Sequence, residues 1–372
     1  MFLRQQKLGT ASAGTDVTVQ YPRQVHIDAF DYELPETAIA QTPLAVRDAS
    51  RLLVDGASGV EHRHVHDMAS LVGPGDVIVV NNTRVLPARL KLFRPTGGGV
   101  EVFLLEERPD GSGDWEALVR PSKKTPPGMV LRTEAAETVM RAGEDLGAGR
   151  RVVSPIDARV IRNIAQEHGQ VPTPPYVREA LADPERYQTV YAERELSVAA
   201  PTAGLHFTPA LLDACRFAGA QVHPVELAVG IGTFRPITVE DLANHDMHAE
   251  GYHVSATTWA ACQNAQRVIA IGTTSVRALE SAATFGEPDG NGDRYGKTEL
   301  FISPGYEWKV VDALLTNFHQ PRSSLLVMLA AFTGPGWRDL YAEALKAGYR
   351  FLSFGDAMLV ARAGLVPGQK AS

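Results

Sequence analysis

Two cysteines in 372 residues, Cys215 and Cys262, are too few for a disulfide framework. Both fall in expected helices, so a reducing compartment such as the cytoplasm fits. Apolar runs are short as well: none approaches the ~18 residues of a membrane span, and Leu325 to Phe332 reads as a buried helix. Arg4 and Lys7 come early without an apolar run behind them, so the opening stretch does not read as a secretory signal. Positive charge is scarce, with 36 Lys and Arg against 43 Asp and Glu and a formal net charge of -7. That balance argues against a generic nucleic-acid binder, because phosphate neutralisation needs Lys and Arg. Disorder is expected only at the ends, in a mobile extension over residues 1–24 and a loose tail over 363–372.

What is present is a hydrophobic content of 44%, enough at this length for two domains with their own cores. The positive charge also clusters. Arg84, Arg89, Lys91 and Arg94 form one group and Arg120, Lys123 and Lys124 another, either a solvated face or a set of phosphate contacts. In the same region short apolar runs, Val77 to Val80, Val100 to Leu105, Trp115 to Val119, Met129 to Leu131 and Arg151 to Val153, are separated by Gly, Pro and Asp turns. Strands at that spacing predict a small antiparallel barrel over residues 67–155, an arrangement that removes exposed edges.

The rest of the chain, 25–66 and 156–362, has the texture of an α/β domain. Its centre is Ser197 to Arg235. Thr208 and Pro209 read as the N-cap and first residue of a helix that Gly219 closes. Thr202, Gly204 and His206 therefore lie at a helix N-terminus, where unpaired amides favour a carboxylate or phosphate; a tight structural loop is the alternative. Val225, Leu227 and Val229 alternate with Glu226, Ala228 and Gly230 as in a half-buried strand, and Thr233 and Arg235 follow a second glycine turn. Arg267 to Ile271 predicts a buried strand leading through Gly272, Thr273 and Thr274 into a helix that carries Arg277. Strands are also expected at Leu300 to Ile302 and Val310 to Leu315, the second ending at Asn317 and His319, where open α/β sheets bind ligands.

Histidines invite a metal reading in two places. His62, His64 and His66 alternate as on a strand, but no Cys or carboxylate support is evident nearby in the sequence. His245, His248 and Glu250 fit general acid/base or hydrogen-bonding roles better than a metal site. Arg186, Tyr187, Gln188, Thr189 and Tyr191 mix aromatic faces with donors, suited to stacking a base or to ordinary packing.

The segments AAPTAGLHFT, GIGTFRP, HDMHAE, GTTSVRALES, LLTNFHQPRSSLL and SFGDAM stand in this order, preceded by FDYELPETAIAQTP, RDASRLLV and GDVIVVNNTRVLPARL. In order and spacing the chain from Phe30 to Val360 resembles the S-adenosylmethionine:tRNA ribosyltransferase-isomerases of queuosine biosynthesis. The resemblance implies a Rossmann-like α/β domain with an inserted small antiparallel β-barrel. It implies an enzyme that moves and isomerises the ribosyl group of S-adenosylmethionine, a consumed cosubstrate, onto the 7-aminomethyl-7-deazaguanine wobble base of tRNA. Adenine and methionine leave and epoxyqueuosine forms, with no metal expected. On that reading His206, His245, His248, Glu250 and His319 handle protons, while Thr202, Gly204, Thr233, Arg235, Thr273, Thr274, Arg277 and Asn317 contact substrate. Arg84, Arg89, Lys91, Arg120, Lys123 and Lys124 would hold the anticodon loop, and a monomer is expected.

Two departures bear on this. Ala228 stands where the family usually has His, with Glu226 on the same face in place of the more common Thr, and Leu196 replaces a Gly before the Ser-Val-Ala-Ala-Pro-Thr run. They suggest a shifted substrate preference or Glu226 taking over part of the imidazole's role. The alternatives are a relative acting on a small 7-deazapurine and, more distant, a metal-dependent hydrolase built on His245, His248 and Glu250.

Overall fold

The run Asp76–Asn81 is buried from end to end, and its alternate residues enter two separate cores: Val77 and Val79 one, Ile78 and Val80 the other. A strand covered on both faces is the signature of a central parallel strand. In the computed structural model, which describes residues 25–56, 59–157, 159–179, 181–230 and 237–363, this run is the third strand of the chain. Thr233, Arg235, the expected N-terminal extension and residues 364–372 of the expected tail lie outside the described residues.

In chain order, Arg51–Gly56 (β1), Gly59–His64 (β2), Asp76–Asn81 (β3) and Thr83–Val85 (β4) precede six strands with no α-helix among them. These are Arg89–Phe93 (β5), Gly99–Glu107 (β6), Trp115–Arg120 (β7), Val130–Arg132 (β8), Thr138–Gly147 (β9) and Arg150–Pro155 (β10). Next come Ile161–His168 (α1), Gly169–Gln170 (β11), Arg194–Ser197 (β12), Pro209–Phe217 (α2), Gln221–Leu227 (β13), Glu250–Val254 (β14), Ala256–Asn264 (α3) and Arg267–Ile271 (β15). Thr273–Phe285 (α4), Arg294–Thr298 (β16), Ala313–Asn317 (β17), Ser324–Thr333 (α5), Trp337–Lys346 (α6) and Ala357–Ala361 (β18) complete the chain.

Nine strands form one mixed sheet in the order β16-β14-β13-β3-β15-β17-β18-β1-β2, with β13, β3, β15 and β17 parallel at its centre. The core on one face contains residues of α4, α5 and α6 and that on the other contains residues of α2. β5, β6, β7, β10, β9 and β8 form a second, antiparallel sheet, which the pairing of Phe93 with Arg132 closes into a barrel around Leu90, Val102, Ala117 and Val153. The chain is thus α/β with a small antiparallel barrel, as expected. The expected start of the barrel at residue 67 is displaced, because β3 pairs with β13 and β15 in the large sheet.

Local chemistry explains the elements that carry the site. Thr208 caps α2 by accepting from the Leu211 amide at 3.1 Å, and Gly219 beyond its end has φ +104°, a conformation only glycine adopts freely. Gly272 at φ +84° turns β15 into α4, its amide donating to the Leu315 carbonyl at 2.8 Å. Two expected strands differ. Leu300 to Ile302 is irregular, because the partner edge of β14 is taken by β16. β17 starts at Ala313, since the amides of Val310 and Val311 donate instead to Glu280.

Candidate functional site

The C-terminal ends of β15 and β17 and the Thr202–His206 turn enclose a narrow cavity of about 60 Å³. Thr202, Thr273, Thr274, Asn317 and His319 line it, together with Tyr176 and Ser353, whose hydroxyls share a hydrogen bond of 2.6 Å. Among the described residues, no Asp, Glu, Lys or Arg side chain lines it. Polarity comes instead from hydroxyls, amides and the start of the 13-residue α4, whose first-turn N–H groups and dipole favour an anion. Thr274 Oγ1 is buried there without a hydrogen-bond partner.

Behind this wall runs a chain of contacts. Thr202 Oγ1 donates to Asn317 Oδ1 at 2.9 Å, and Asn317 Nδ2 donates to His206 Nε2 at 3.2 Å. His206 is therefore placed to orient Asn317 and does not line the cavity itself. Burial, reinforced by the nearby Arg350 guanidinium, pushes the His206 imidazole down to about 4. Burial alone pushes His319 down to about 3, and its Nε2 lies 3.0 Å from Thr316 Oγ1. Both rings are neutral near pH 7.

Those two depressed values predict a pH response. Unfolded, each histidine titrates near 6.5, so the unfolded chain binds more protons and stability falls as pH drops from about 6.5 towards 4 and 3. Each ring contributes at most about 1.4 kcal/mol per pH unit in that window. Urea midpoints at pH 7 and pH 5 check this; equal midpoints would show that the rings titrate normally.

A second cavity, a cleft of about 510 Å³, lies between the barrel and the large sheet. Ala228, Gly230, His248, Glu250 and Gly251 come from the sheet side, and Glu106, Glu107, Trp115 and Glu116 from the barrel. Val229 lines both this cleft and the narrow cavity. Glu250 is not a free acid here: it accepts from the Gly230 amide at 2.9 Å and pairs with Arg277, both side chains being buried. The pair fixes the end of the β13 segment against α4, so Arg277 is a positioning residue rather than a lining one. Glu226 does not reach the cleft, because both its oxygens accept from Arg194 at 2.8 Å.

Other expected site residues separate from these. His245 lines a third cavity of about 800 Å³, with its ring edge-on to Phe301 at 4.9 Å. His245 thus faces a different space from His248 and Glu250, and among the described residues the three do not bring their ligand atoms together as the hydrolase reading requires. Gly204 faces the buried side of its turn, where a Cβ would collide with the Tyr191 hydroxyl, so it permits close packing and does not contact the cavity. Tyr187 packs on Phe354 and Gln188 exchanges two hydrogen bonds of 2.9 Å with the Val85 backbone, the ordinary-packing alternative for that stretch. The alternation of His62, His64 and His66 stops where β2 ends at His64, and the expectation that no carboxylate supports them is overturned by Asp67, whose ligand atom lies within 4.8 Å of those of His64 and His66.

Among the basic residues, Arg84 lies on β4 outside the barrel and pairs with Glu185. Arg89 stands 3.9 Å from Glu101, and cross-strand register sets Lys91, Glu101 and Arg120 in one row. Lys123 and Lys124 are on the turn after β7, which the buried Arg151 holds through Ser122 Oγ at 3.0 Å and Ser122 O at 3.2 Å. Ser353, Trp115 and Glu116 join the residues expected from sequence in lining these spaces. Ser353 had a signal in the SFGDAM segment, whereas the two barrel residues are ordinary strand positions until the barrel docks.

Comparison with known proteins shows the family. A family model described as "Queuosine biosynthesis protein" matches residues 27–360. A protein of Moorella thermoacetica named S-adenosylmethionine:tRNA ribosyltransferase-isomerase is 48% identical over 90% of this chain and 100% of its own length. One of Rubrobacter xylanophilus with the same name is 47% identical over 90% and 97%. The crystal structure of an S-adenosylmethionine tRNA ribosyltransferase from Thermotoga maritima is similar with a TM-score of 0.51 at 36% identity, covering 89% of this chain and 99% of that one. Matched across nearly its whole described length in sequence and in fold, the chain belongs to the queuosine biosynthesis family of S-adenosylmethionine:tRNA ribosyltransferase-isomerases.

Proposed function

We propose that this protein transfers the ribosyl group of S-adenosylmethionine to the aminomethyl nitrogen of a 7-deazaguanine at the wobble position of tRNA and isomerises it, releasing adenine and methionine and giving epoxyqueuosine. The observation that carries the reading is the meeting of two cavities at Val229: a narrow one that suits one end of the donor and a wide one with room for the rest of it and for the acceptor base. The names of the relatives support the same substrates.

In this reading the methionine carboxylate lies at the amides of Thr273 and Thr274. The sulfonium then sits among hydroxyls and the rings of Tyr176 and Phe318, where no charged side chain of the described residues lines the cavity, so its pull on the neighbouring ribose hydrogen is little screened. His319 is neutral and so has a free ring nitrogen to take a proton from the sugar carbon. That proton goes on to the departing adenine. His248, in the cleft, serves the attacking amine. Substrate contacts are assigned to Thr202, Thr273, Thr274 and Asn317.

Both walls of the cleft come from one chain, so a monomer suffices. The two cysteines are free and buried, which suits a reducing compartment such as the cytoplasm; no described helix is long and apolar enough to cross a membrane.

The test is adenine release in the presence of tRNA carrying the deazaguanine precursor, with a heavier nucleoside recovered from the tRNA. Replacing Lys123 and Lys124 by Ala is expected to weaken tRNA binding and lower the slope of log affinity against log salt by about two. An unchanged slope and rate would move the acceptor from tRNA to a small 7-deazapurine.

A further inference from the structure

The floor of the cleft continues sideways onto an edge strand. β13, β14 and β16 pair antiparallel at this end of the sheet, and register places Glu226, His253 and Tyr295 in one row. In the next row Ala228 donates its amide to Gly251 at 2.8 Å, and Gly251 stands opposite Lys297. Side chains alternate across a strand, so both rows face the cleft side, while Tyr252, Val254 and Thr298 face the core. The row that begins as cleft floor with Ala228 and Gly251 therefore ends in a lysine, with a tyrosine two residues away on the same face.

Both end residues lie open. The side chain of Lys297 is 64% exposed and Tyr295 is 61% exposed, and β16 is the last strand of its sheet. Lys297 Nζ reaches 3.2 Å from Glu106 Oε2 on the barrel, bridging the cleft mouth. An exposed pair of this kind is worth little, so an incoming phosphate displaces it at small cost. The Tyr295 ring touches the His253 ring at a tilt, with centroids 6.5 Å apart, and is otherwise open; such a ring beside a cation whose partner is easily exchanged suits an unpaired nucleotide, which offers a π-surface and a phosphate together.

We infer that Tyr295 and Lys297 form an RNA-binding rim of the cleft: the tyrosine stacks on an unpaired base next to the acceptor nucleotide and the lysine holds the adjoining phosphate. This deepens the tRNA reading above and rests on it. The rim is separate from Lys123 and Lys124, and it acts on flanking nucleotides rather than on the reacting base.

The experiment measures binding of an anticodon stem-loop RNA by fluorescence anisotropy across a salt series, together with KM and kcat for tRNA-dependent adenine release. Y295A is expected to weaken binding on the order of tenfold and to raise KM for tRNA with kcat little changed, whereas Y295F, which keeps the ring face, stays near wild type. K297A lowers the salt slope by about one. E106Q acts in the opposite direction, tightening binding about two- to fivefold at low salt by freeing Lys297. A general loss of fold would not produce that opposite sign, and unchanged heat on titration with S-adenosylmethionine confirms that the variants are intact. If the wild type modifies tRNA while Y295A and K297A bind RNA as it does, this inference alone is overturned. If the wild type binds no RNA, the acceptor reading falls with it.

Discussion

His319→Ala is expected to lower kcat by about 10²–10⁴-fold, the range typical of losing a positioned proton-transfer group. The loss should fall on the chemical step, because the backbone at this position is held independently of the ring. Its amide donates to the Tyr341 hydroxyl at 2.8 Å and its carbonyl accepts from the Tyr32 hydroxyl at 2.5 Å. Both tyrosines pack in the aromatic cluster with Phe351, so alanine leaves the end of β17 in place and removes only the imidazole that lines the narrow cavity. Affinity for S-adenosylmethionine should change less than turnover, and His319→Asn should recover part of the rate if one ring nitrogen serves only to hold a hydrogen bond. Single-turnover adenine release measures this; a variant retaining kcat within tenfold would remove His319 from the proposed proton path.

Glu280→Ala is expected to destabilise the protein by about 3–5 kcal/mol, the cost of breaking a buried charged network. Glu280 is fully buried in α4. Its Oε1 accepts from the Val310 and Val311 amides and its Oε2 from the Lys309 amide and the Tyr306 hydroxyl, all at 3.0 Å. Burial pushes the carboxyl upward and the four donors pull it back, with burial prevailing. Alanine would orphan three backbone amides at once just before β17. Since α4 and β17 both bound the narrow cavity, cosubstrate binding should weaken in parallel. Urea denaturation gives the loss, and a change below about 1 kcal/mol would mean that the segment re-forms its hydrogen bonds elsewhere.

Periodicity and capping signals placed several elements directly. Thr208, Pro209 and Gly219 bracket α2, and Arg267 to Ile271 is β15 itself. The same signals failed where a partner far along the chain decides the outcome. The apolar run Asp76–Asn81 suits a barrel strand or a central parallel strand equally well until β13 and β15 flank it. Residues Val310 and Val311 have strand propensity, yet a glutamate about thirty residues earlier takes their amides.

The site divides in the same way. Order and spacing of the signature segments by themselves determined the family, the α/β-plus-barrel class and the threonines, asparagine and His319 that gather at strand ends, because a short βα turn carries its residues to the sheet edge wherever the sheet lies. Only the tertiary structure decided that Glu250 is neutralised by Arg277, that His206 stands behind Asn317, that His245 and His248 face different cavities, and that the barrel supplies Trp115 and Glu116 to the cleft. Those outcomes depend on side-chain direction and on contacts between residues distant in sequence, and a residue's type and spacing fix neither.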